Sequence, residues 1–555
     1  MLKQASLHSI GLVAAACCLA TGLQLRDAVA LTPGELQAPP AAAAPSDLDR
    51  HLLAESRLER LYRSRGFQPI WLDAAGDGLS VRGEAALTAL ESADAEGLDP
   101  LSYYSAEIDS ARAAARWQDL DVLLSAGLLD YVRDLAGGRP ALRGQGEGLD
   151  GDAPPLDAVA TVRGLAAAED VAAALQALAP ANAQYRRLRA TLAALRERAA
   201  AGGWPRIPAG DTLDPGMSGP RVAALRARLA ATDGAETEVA EPALFDPSLE
   251  AAVRHFQQRN GLAVDGRVGP NTLAALDRPV GELIGVVEAN MERWRWLPHD
   301  LGERYILVNT AAFEMRAVED GRVVLRMPVV NGLPSRPTPM FSAEMRYLEV
   351  NPTWTVPPTI FAKDYLPKLR RDPGYLAQQN ITLYVSWSPN ATPVDPYLVD
   401  WSQVRANTHS LPYRLVQAPG PYNALGRIKF MLPNRYSVYL HDTPHHELFS
   451  RARRALSSGC VRLARPDDLA ALILKEVPGW DMARLEQVYA GGERTRIPLA
   501  RTWPVHVTYF TAWVDGEGVA HFYDDVYGRD ADMIEQLRRN RLLLAEEPQG
   551  APRRS

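Results

Sequence analysis

The hydrophobic period of this 555-residue chain changes near residue 285, and no single regular architecture serves both sides of that change. From about residue 48 to 205, Ala, Leu, Arg, Asp and Glu recur at helical spacing. LLAESRLERLYRSRG sets Leu53, Leu58 and Leu61 on one stripe, and DVLLSAGLLDYVRDLAGG and DVAAALQALAP repeat the pattern. Beyond 285, period-2 runs such as RYILVNTAAFEMRAV and NRYSVYLHD predict strands, broken by the turn signals Asn331-Gly332 and Pro433-Asn434. Eight of the 11 Trp lie on that side. The length exceeds what one hydrophobic core usually serves. The expected class is therefore multidomain α+β, with helices first and a β-rich domain after them.

Punctuation divides the helical half. Residues 31–47 are a Pro/Ala-rich linker and 48–205 a helical domain interrupted by Pro/Gly clusters near 137–155 and 201–209. Gly146, Gly148 and Gly151 satisfy G-x-G-x-x-G, but no predicted strand precedes them and no apolar helix follows directly, which favours a loop over a dinucleotide site. Residues 210–280 read as a separate three-helix unit. Its first helix starts after Ser218-Gly219-Pro220 and buries Val222, Leu225 and Leu229; the others centre on Ala252, Val253 and Phe256, and on Leu273 and Leu276. The β-rich domain spans 285–530. Its stretch 361–411, dense in Pro, Asp, Asn and Trp, reads as an insertion, RPDDLAALILKEV as a short helix, and 531–555 as a C-terminal tail.

Residues 1–30 predict an export signal. Lys3 is followed by an apolar stretch from Ile10 to Leu23, too short to span a bilayer comfortably, and then by the small-x-small site Ala28-Val29-Ala30. A lipoprotein signal at Cys17 or Cys18 ranks second, because neither cysteine has a Leu three residues ahead of it. Removal of Lys3, Arg26 and Asp27 takes the net charge from −7 to −8, far from the basic footprint of a nucleic-acid binder. No later segment is apolar and long enough for a membrane helix, so the expected location is the cell envelope or periplasm. Of three cysteines only Cys460 then remains, and it has no disulfide partner.

Cys460 sits in Leu456-Ser457-Ser458-Gly459-Cys460-Val461-Arg462-Leu463. A cysteine nucleophile needs a base or cation beside it and backbone N–H groups aimed at a developing oxyanion. Arg462, Arg453 and Arg454 raise the local positive potential, and the N–H groups of Gly459 and Cys460 are the candidate oxyanion donors. The candidate base is His441, at the end of the strand Val438-Tyr439-Leu440, whereas His299, His409, His506 and His521 are scattered. Two other readings stay open on the residues alone. His441, Asp442, His445 and His446 could be metal ligands, although Pro444 disrupts the helical geometry that would align His441 with His445; or Cys460 is a buried, inert side chain.

Two resemblances follow from these residues. The S-G-P-x-V-x-x-L start, A-V-x-x-F-Q and G-L-x-x-D-G-x-V-G-P-x-T-x-x-A-L of 210–280 resemble the peptidoglycan-binding domain 1 family. Residues 285–530 resemble the L,D-transpeptidase catalytic domain in its large periplasmic form. The carrying residues are Asn290 to Pro298 (NMERWRWLP), Asn351 to Pro357 (NPTWTVP), Pro419 to Phe430 (PGPYNALGRIKF), Leu432-Pro433-Asn434, Tyr439 to Pro444 (YLHDTP) and Ser457 to Arg462 (SSGCVR). Residues 48–205 resemble the helical scaffold of the same enzymes through Ile70-Trp71-Leu72 and Gly97 to Pro100. Where many relatives carry a second His, this chain has Ser458.

The resemblance implies a helical scaffold, a three-helix peptidoglycan-binding-like domain, and a β-rich catalytic domain capped by 361–411. It implies Cys460 as the acylated nucleophile, His441 as proton donor and acceptor, Gly459 as a backbone oxyanion donor, and substrate contacts at Tyr439, Ser457, Ser458 and Arg462, with no metal and no organic cofactor. The implied partners are peptidoglycan stem peptides, a tetrapeptide donor and a diamino-acid acceptor, together with cell-wall synthesis proteins. The implied reaction is 3→3 cross-linking through a thioester with release of D-alanine, open to acylation by a carbapenem. Water or a lysine of an envelope protein as acceptor, a non-catalytic wall-binding adaptor, and a metallohydrolase on His441 and His445 are the alternatives.

Overall fold

The computed structural model describes residues 56–143, 156–233, 235–405 and 412–546. The export signal, the linker, Cys17, Cys18, Leu53, the Gly146–Gly151 loop, His409 with residues 406–411, and residues 547–555 lie outside the described residues.

The helical half forms where its apolar stripe predicts it, with Leu58 and Leu61 buried. Ser80, Asp157, Asp170 and Asn182 each accept a backbone N–H from the first turn of Val81–Glu91, Ala158–Ala167, Val171–Gln176 and Ala183–Ala200. The first two of these pack with Ser56–Arg63 on the central helix Trp117–Gly137, whose Leu120, Leu124, Leu128 and Val132 are buried.

This core continues into the second half of the chain. The helix Val280–Arg295 is buried at every position from Val286 onward and packs on Ala183–Ala200. Trp294, Trp296, Phe510, Trp513 and Phe522 belong to the same apolar cluster as the scaffold leucines. The NMERWRWLP run, grouped by sequence with the catalytic segment, thus sits inside the scaffold's core. Residues after 530 are not simply a tail: Arg529–Glu546 is a helix, and Met533 and Leu537, one turn apart, are buried in that cluster.

The unit at 210–280 has its own core. Its helices Pro220–Asp233, Pro247–Arg259 and Pro270–Leu276 each begin on proline, whose missing N–H costs nothing in a first turn. Val222, Leu225, Leu229, Val253, Phe256 and Leu276 are buried together, and Leu273 packs against them half-buried.

The remaining domain is a closed sheet. Its strands are β1 (Arg304–Asn309), β2 (Glu314–Glu319), β3 (Arg322–Gly332) and β4 (Phe341–Val350). Then β5 (Trp354–Thr355), β6 (Ile381–Tyr384), β7 (Pro393–Val394) and β8 (Arg414–Gln417) form a separate small sheet. The chain returns through β9 (Ile428–Met431), β10 (Leu440–His441), β11 (Ala455–Ser457), β12 (Val461–Leu463) and β13 (Thr495–Thr508). The large sheet runs β11-β3-β12-β10-β9-β4-β13-β1-β2, and β2 also pairs with β3, which closes a ring outside which only β11 lies. Its interior holds Ile306, Val308, Phe341, Leu348, Phe430, Leu440, Val461 and Val505. The insertion reaches from β5 to β8, wider than 361–411, and has a core of its own in Trp354, Phe361, Leu369, Trp401 and Leu415.

Candidate active site

The neighbouring parallel strands β10 and β12 present the two candidate catalytic residues. Leu440 pairs with Val461 and His441 with Arg462, and the Val461 N–H donates to the Tyr439 carbonyl at 3.2 Å. Leu440 and Val461 point into the barrel core, so alternation along each strand puts Tyr439 and His441 on the same outer face as Cys460 and Arg462. The β9 register adds Lys429 opposite His441, and β4 adds Glu349 opposite Lys429. Cys460 therefore lies one strand over from Tyr439, diagonal to an imidazole flanked by two cations.

His441 is buried, and its Nδ1 lies 2.5 Å from the Asp442 carbonyl oxygen. A carbonyl only accepts, so Nδ1 carries the proton and Nε2 keeps its lone pair. Burial, then Arg462 and Lys429, push the His441 pKa down to about 3, so the resting imidazole is neutral. Burial likewise raises the Cys460 thiol, against the pull of the Tyr439 N–H and hydroxyl, Arg462 and Lys429. The thiol is half-buried, and its sulfur lies 3.9 Å from the Ser437 carbonyl. Tyr439 stands edge-on to His441 with ring centroids 5.7 Å apart. At rest the pair is a neutral thiol and a neutral imidazole.

The Cys460 loop is held from inside and from one side. Ser457 is buried; its hydroxyl donates to the Cys460 carbonyl at 2.6 Å and accepts the Gly459 N–H at 3.1 Å. Gly459 adopts φ +119°, which a side chain would strain. Two groups expected to meet substrate are engaged within the loop itself: the Gly459 N–H donates to Ser457, and the Ser457 hydroxyl braces the turn through the Cys460 carbonyl. Both follow from a tight turn that must satisfy its own buried polar groups.

The turn 332–338 grips the same loop. Leu333 N–H donates to the Ser457 carbonyl at 2.8 Å, Thr338 Oγ1 to the Gly459 carbonyl at 2.8 Å, and Arg336 Nη1 to Ser458 Oγ at 2.8 Å. Only glycine fits at 332, since a Cβ there would come 2.2 Å from the Arg336 carbonyl oxygen. Arg336 also makes a bidentate pair with Asp364 of the insertion, both contacts at 2.6 Å, so one guanidinium ties the cap to the exposed Ser458. Sequence reasoning missed Arg336, Asp364 and Thr338; nothing distinguished them beyond the nearby Asn331-Gly332 turn signal. Lys429 lay in the quoted GRIKF run without an assigned role.

Other expected residues fall elsewhere. Arg454 donates to the Val329, Arg451 and Phe313 carbonyls as a structural clamp, and Arg453 is exposed. The histidines beyond Pro444 do not converge on His441: His445 Nδ1 is 3.4 Å from Glu447, and His446 Nε2 is 3.6 Å from Asp442 Oδ1. Among the described residues, no three His, Cys, Asp or Glu side chains are grouped to hold a metal ion, and no helix is long and apolar enough to cross a membrane.

Comparison with known proteins matches three parts of the chain to known families. Residues 303–484 match the family model of the L,D-transpeptidase catalytic domain, 56–192 that of the scaffold domain, and 218–276 that described as "Putative peptidoglycan binding domain". A curated Haemophilus influenzae protein named "Putative L,D-transpeptidase" is 36% identical over 241 residues, 43% of this chain and 47% of that protein. A zinc D-Ala-D-Ala carboxypeptidase of Streptomyces albus G is 43% identical over 61 residues, 11% of this chain and 24% of that one. The chain thus spans less than half the length of either curated relative. A solved L,D-transpeptidase from Mycobacterium smegmatis aligns at 15% identity and TM-score 0.18 over 37% of this chain and 58% of that one. One from Xylanimonas cellulosilytica aligns at 17% and 0.17 over 54% and 99%, and likenesses this low carry no weight. The family models and the 36% identity point the same way: residues 303–484 are similar to the L,D-transpeptidase catalytic domain, 56–192 to its scaffold domain and 218–276 to a domain of the peptidoglycan-binding type.

Proposed function

We propose that this protein is a cysteine L,D-transpeptidase that forms 3→3 cross-links between peptidoglycan stems at the cell envelope, reached through the N-terminal export signal. One observation carries the reading: a neutral His441, tautomer fixed by the Asp442 carbonyl, shares one face of adjacent strands with Cys460. His441 Nε2 takes the thiol proton as sulfur attacks the carbonyl of the third residue of a tetrapeptide stem. With the Gly459 N–H occupied, the Cys460 N–H is the nearest backbone donor for the oxyanion. The imidazolium then protonates the departing D-alanine nitrogen, leaving a thioester. The side-chain amine of a second stem's third residue attacks it, giving its proton to His441 and restoring the thiol. Neither metal nor organic cofactor enters this sequence, and the partners are two stem peptides, with cell-wall synthesis proteins beyond them. The cap, held by Asp364 on Arg336, limits water and favours the amine.

Full-length protein incubated with tetrapeptide muropeptides should yield a cross-linked dimer and free D-alanine by mass spectrometry. Cys460→Ala should abolish both products, and His441→Ala should slow them about 10²–10⁴-fold. Dimer formed by Cys460→Ala would overturn the mechanism. Hydrolysed tripeptide in place of dimer would assign water as the acceptor.

A further inference from the structure

Beside the catalytic strands lies a groove of about 1760 Å³ that the chemistry at Cys460 does not use. The outer face of β1–β3 lines it with Tyr305, Arg316, Val318 and Val323. The three-helix domain adds Gln258, Gly261 and Asn271, and the scaffold helix Ala183–Ala200 adds Arg187. Tyr523 stands where these meet: its ring stacks on His521 with centroids 6.2 Å apart, and a Cβ on Gly261 would come 3.5 Å from it. The lining also takes in Ala452, Arg453 and Arg454, which lead directly into β11 and the Cys460 loop.

The volume exceeds the roughly 300–1,000 Å³ of a small-molecule pocket and suits a segment of polymer. Gln258 and Asn271 are exposed, and an amide both donates and accepts, as sugar hydroxyls do. Tyr523 supplies an aromatic face with a polar tip. Most arginines of the groove are engaged: Arg259 by Asp233, Arg278 by Glu282 at 2.9 Å, Arg316 and Arg326 by Glu314. Among the described residues no carboxylate pairs with Arg187 or Arg453, so two guanidinium groups are left for carboxylates of a ligand. A glycan strand bearing peptide stems offers hydroxyl, amide and carboxylate groups together.

Position says which strand. Around the ring the order is β3-β12-β10-β9-β4. The cap leaves the barrel after β4 and returns at β9, so it enters from one flank of the catalytic pair, while the groove lies on the other, at β3. A thioester holds its donor on Cys460, and the second stem needs an approach that donor and cap leave open. The four steps from Arg453 to Ser457 cover about 13 Å at the usual strand rise. Three extended stem residues reach about 10–11 Å, and the attacking amine stands at the end of the third side chain. The two lengths match.

Resting on the transpeptidase reading above, we propose that this groove holds the glycan strand of the acyl acceptor and presents its stem to the Cys460 thioester from the β3 flank. The donor binds apart from it, on the face of β10 and β12 beneath the cap. An enzyme so built joins a stem to a neighbouring strand in preference to a loose peptide. The three-helix domain then serves as one wall of the acceptor site.

The test follows dimer formation by the full-length protein from one tetrapeptide donor and two acceptors. One acceptor is a sugar-free tripeptide stem; the other is an uncross-linked glycan chain of several disaccharides bearing the same stems. The wild type should show a KM at least tenfold lower, per stem, for the chain. Tyr523→Ala combined with Arg187→Ala should raise the chain's KM to that of the free stem, with acylation of Cys460 by the donor proceeding as before. Tyr523→Trp, which keeps an aromatic face, should retain the advantage. Val323→Trp narrows the groove from a position 52% exposed, where no core is disturbed, and should raise the chain's KM alone. If the double variant melts early, Val323→Trp decides. Equal KM for both acceptors in the wild type would overturn the proposal, as would a chain advantage that survives Val323→Trp. So would a folded variant that slows acylation and both acceptors alike, because these residues would then act on the thiol. Absence of any Cys460 thioester sinks the transpeptidase reading, and a thioester that only water resolves sinks both. Dimer formed without preference for the chain sinks this inference alone.

Discussion

The scaffold and the three-helix domain are both helical appendages of one barrel, yet they attach to it by opposite means. The scaffold's leucines share a continuous apolar cluster with Trp294, Trp296, Phe510 and Trp513. At its centre, Glu292 is fully buried between Arg139 at 3.1 Å and Arg295 at 3.0 Å. The three-helix domain closes its core on itself, with every member between Ile207 and Leu276. It reaches the barrel side through contacts such as Arg259 to the Ala520 carbonyl at 2.9 Å. A shared core makes two segments one folding unit, whereas surface hydrogen bonds leave two.

Deletion should break the symmetry between them most sharply. Without residues 56–195 the catalytic barrel keeps an exposed Trp-rich face and should fail to accumulate as soluble protein. Without residues 210–276 it should stay folded and still acylate Cys460, as read by near-UV circular dichroism and carbapenem adduct mass. Comparable folding of both deletions would erase the distinction.

Point changes sharpen the comparison at smaller cost. Glu292→Ala strands the buried Arg295 guanidinium and the half-buried Arg139 and should cost about 3–5 kcal/mol, lowering the main thermal transition. Leu225→Ala, in the closed core, should cost about 2–5 kcal/mol but move a separate, smaller transition in calorimetry. One shared transition in both variants would mean the three-helix domain is not independent.

Acid tests the same comparison without a substitution. Burial holds His506 down to about 4, and burial with its two cation neighbours holds His441 at about 3, both below the ordinary value of 6.5. The unfolded chain therefore takes up protons that the folded chain refuses as pH falls from 6.5 towards 3, and the stability present at neutral pH is lost across that window. The three-helix domain buries no imidazole, its His255 being half-exposed. Acid should thus weaken the main transition first. The acylation rate should show no limb near pH 6.5, and one there would contradict the buried neutral His441.

The sequence made Cys460 and His441 legible because each stands in a short motif whose neighbours carry the signal. The three-helix domain was legible because proline starts and apolar spacing are local properties. What escaped notice was set by contacts between distant residues. Ser457 and Gly459 read as groups facing substrate, but a buried turn claims a hydroxyl and an N–H for itself. The cap's core joins Trp354, Phe361 and Leu415 from elements of two to five residues with Trp401 from a turn, too short for any period to register. The helix Val280–Arg295 is buried around its circumference, so its pattern could not say which neighbour it serves. Arg336 and Lys429 were single cations among polar residues until the fold supplied Asp364 and Glu349.

The closed ring has a consequence for the order in which the protein can be made. Strand β13 is the last of the ring to be synthesised, yet it lies between β4 and β1, strands that emerge more than 140 residues earlier. Until it arrives, both keep unpaired backbone edges, the kind that recruit other chains. The support of the Cys460 loop comes later still, since Tyr527 donates to the Gly332 carbonyl at 2.8 Å and Arg529 to that of Thr338 at 3.2 Å. Translation thus finishes the thiol's sequence well before the fold can finish its site, and a ribosome-bound chain carries Cys460 without the means to use it.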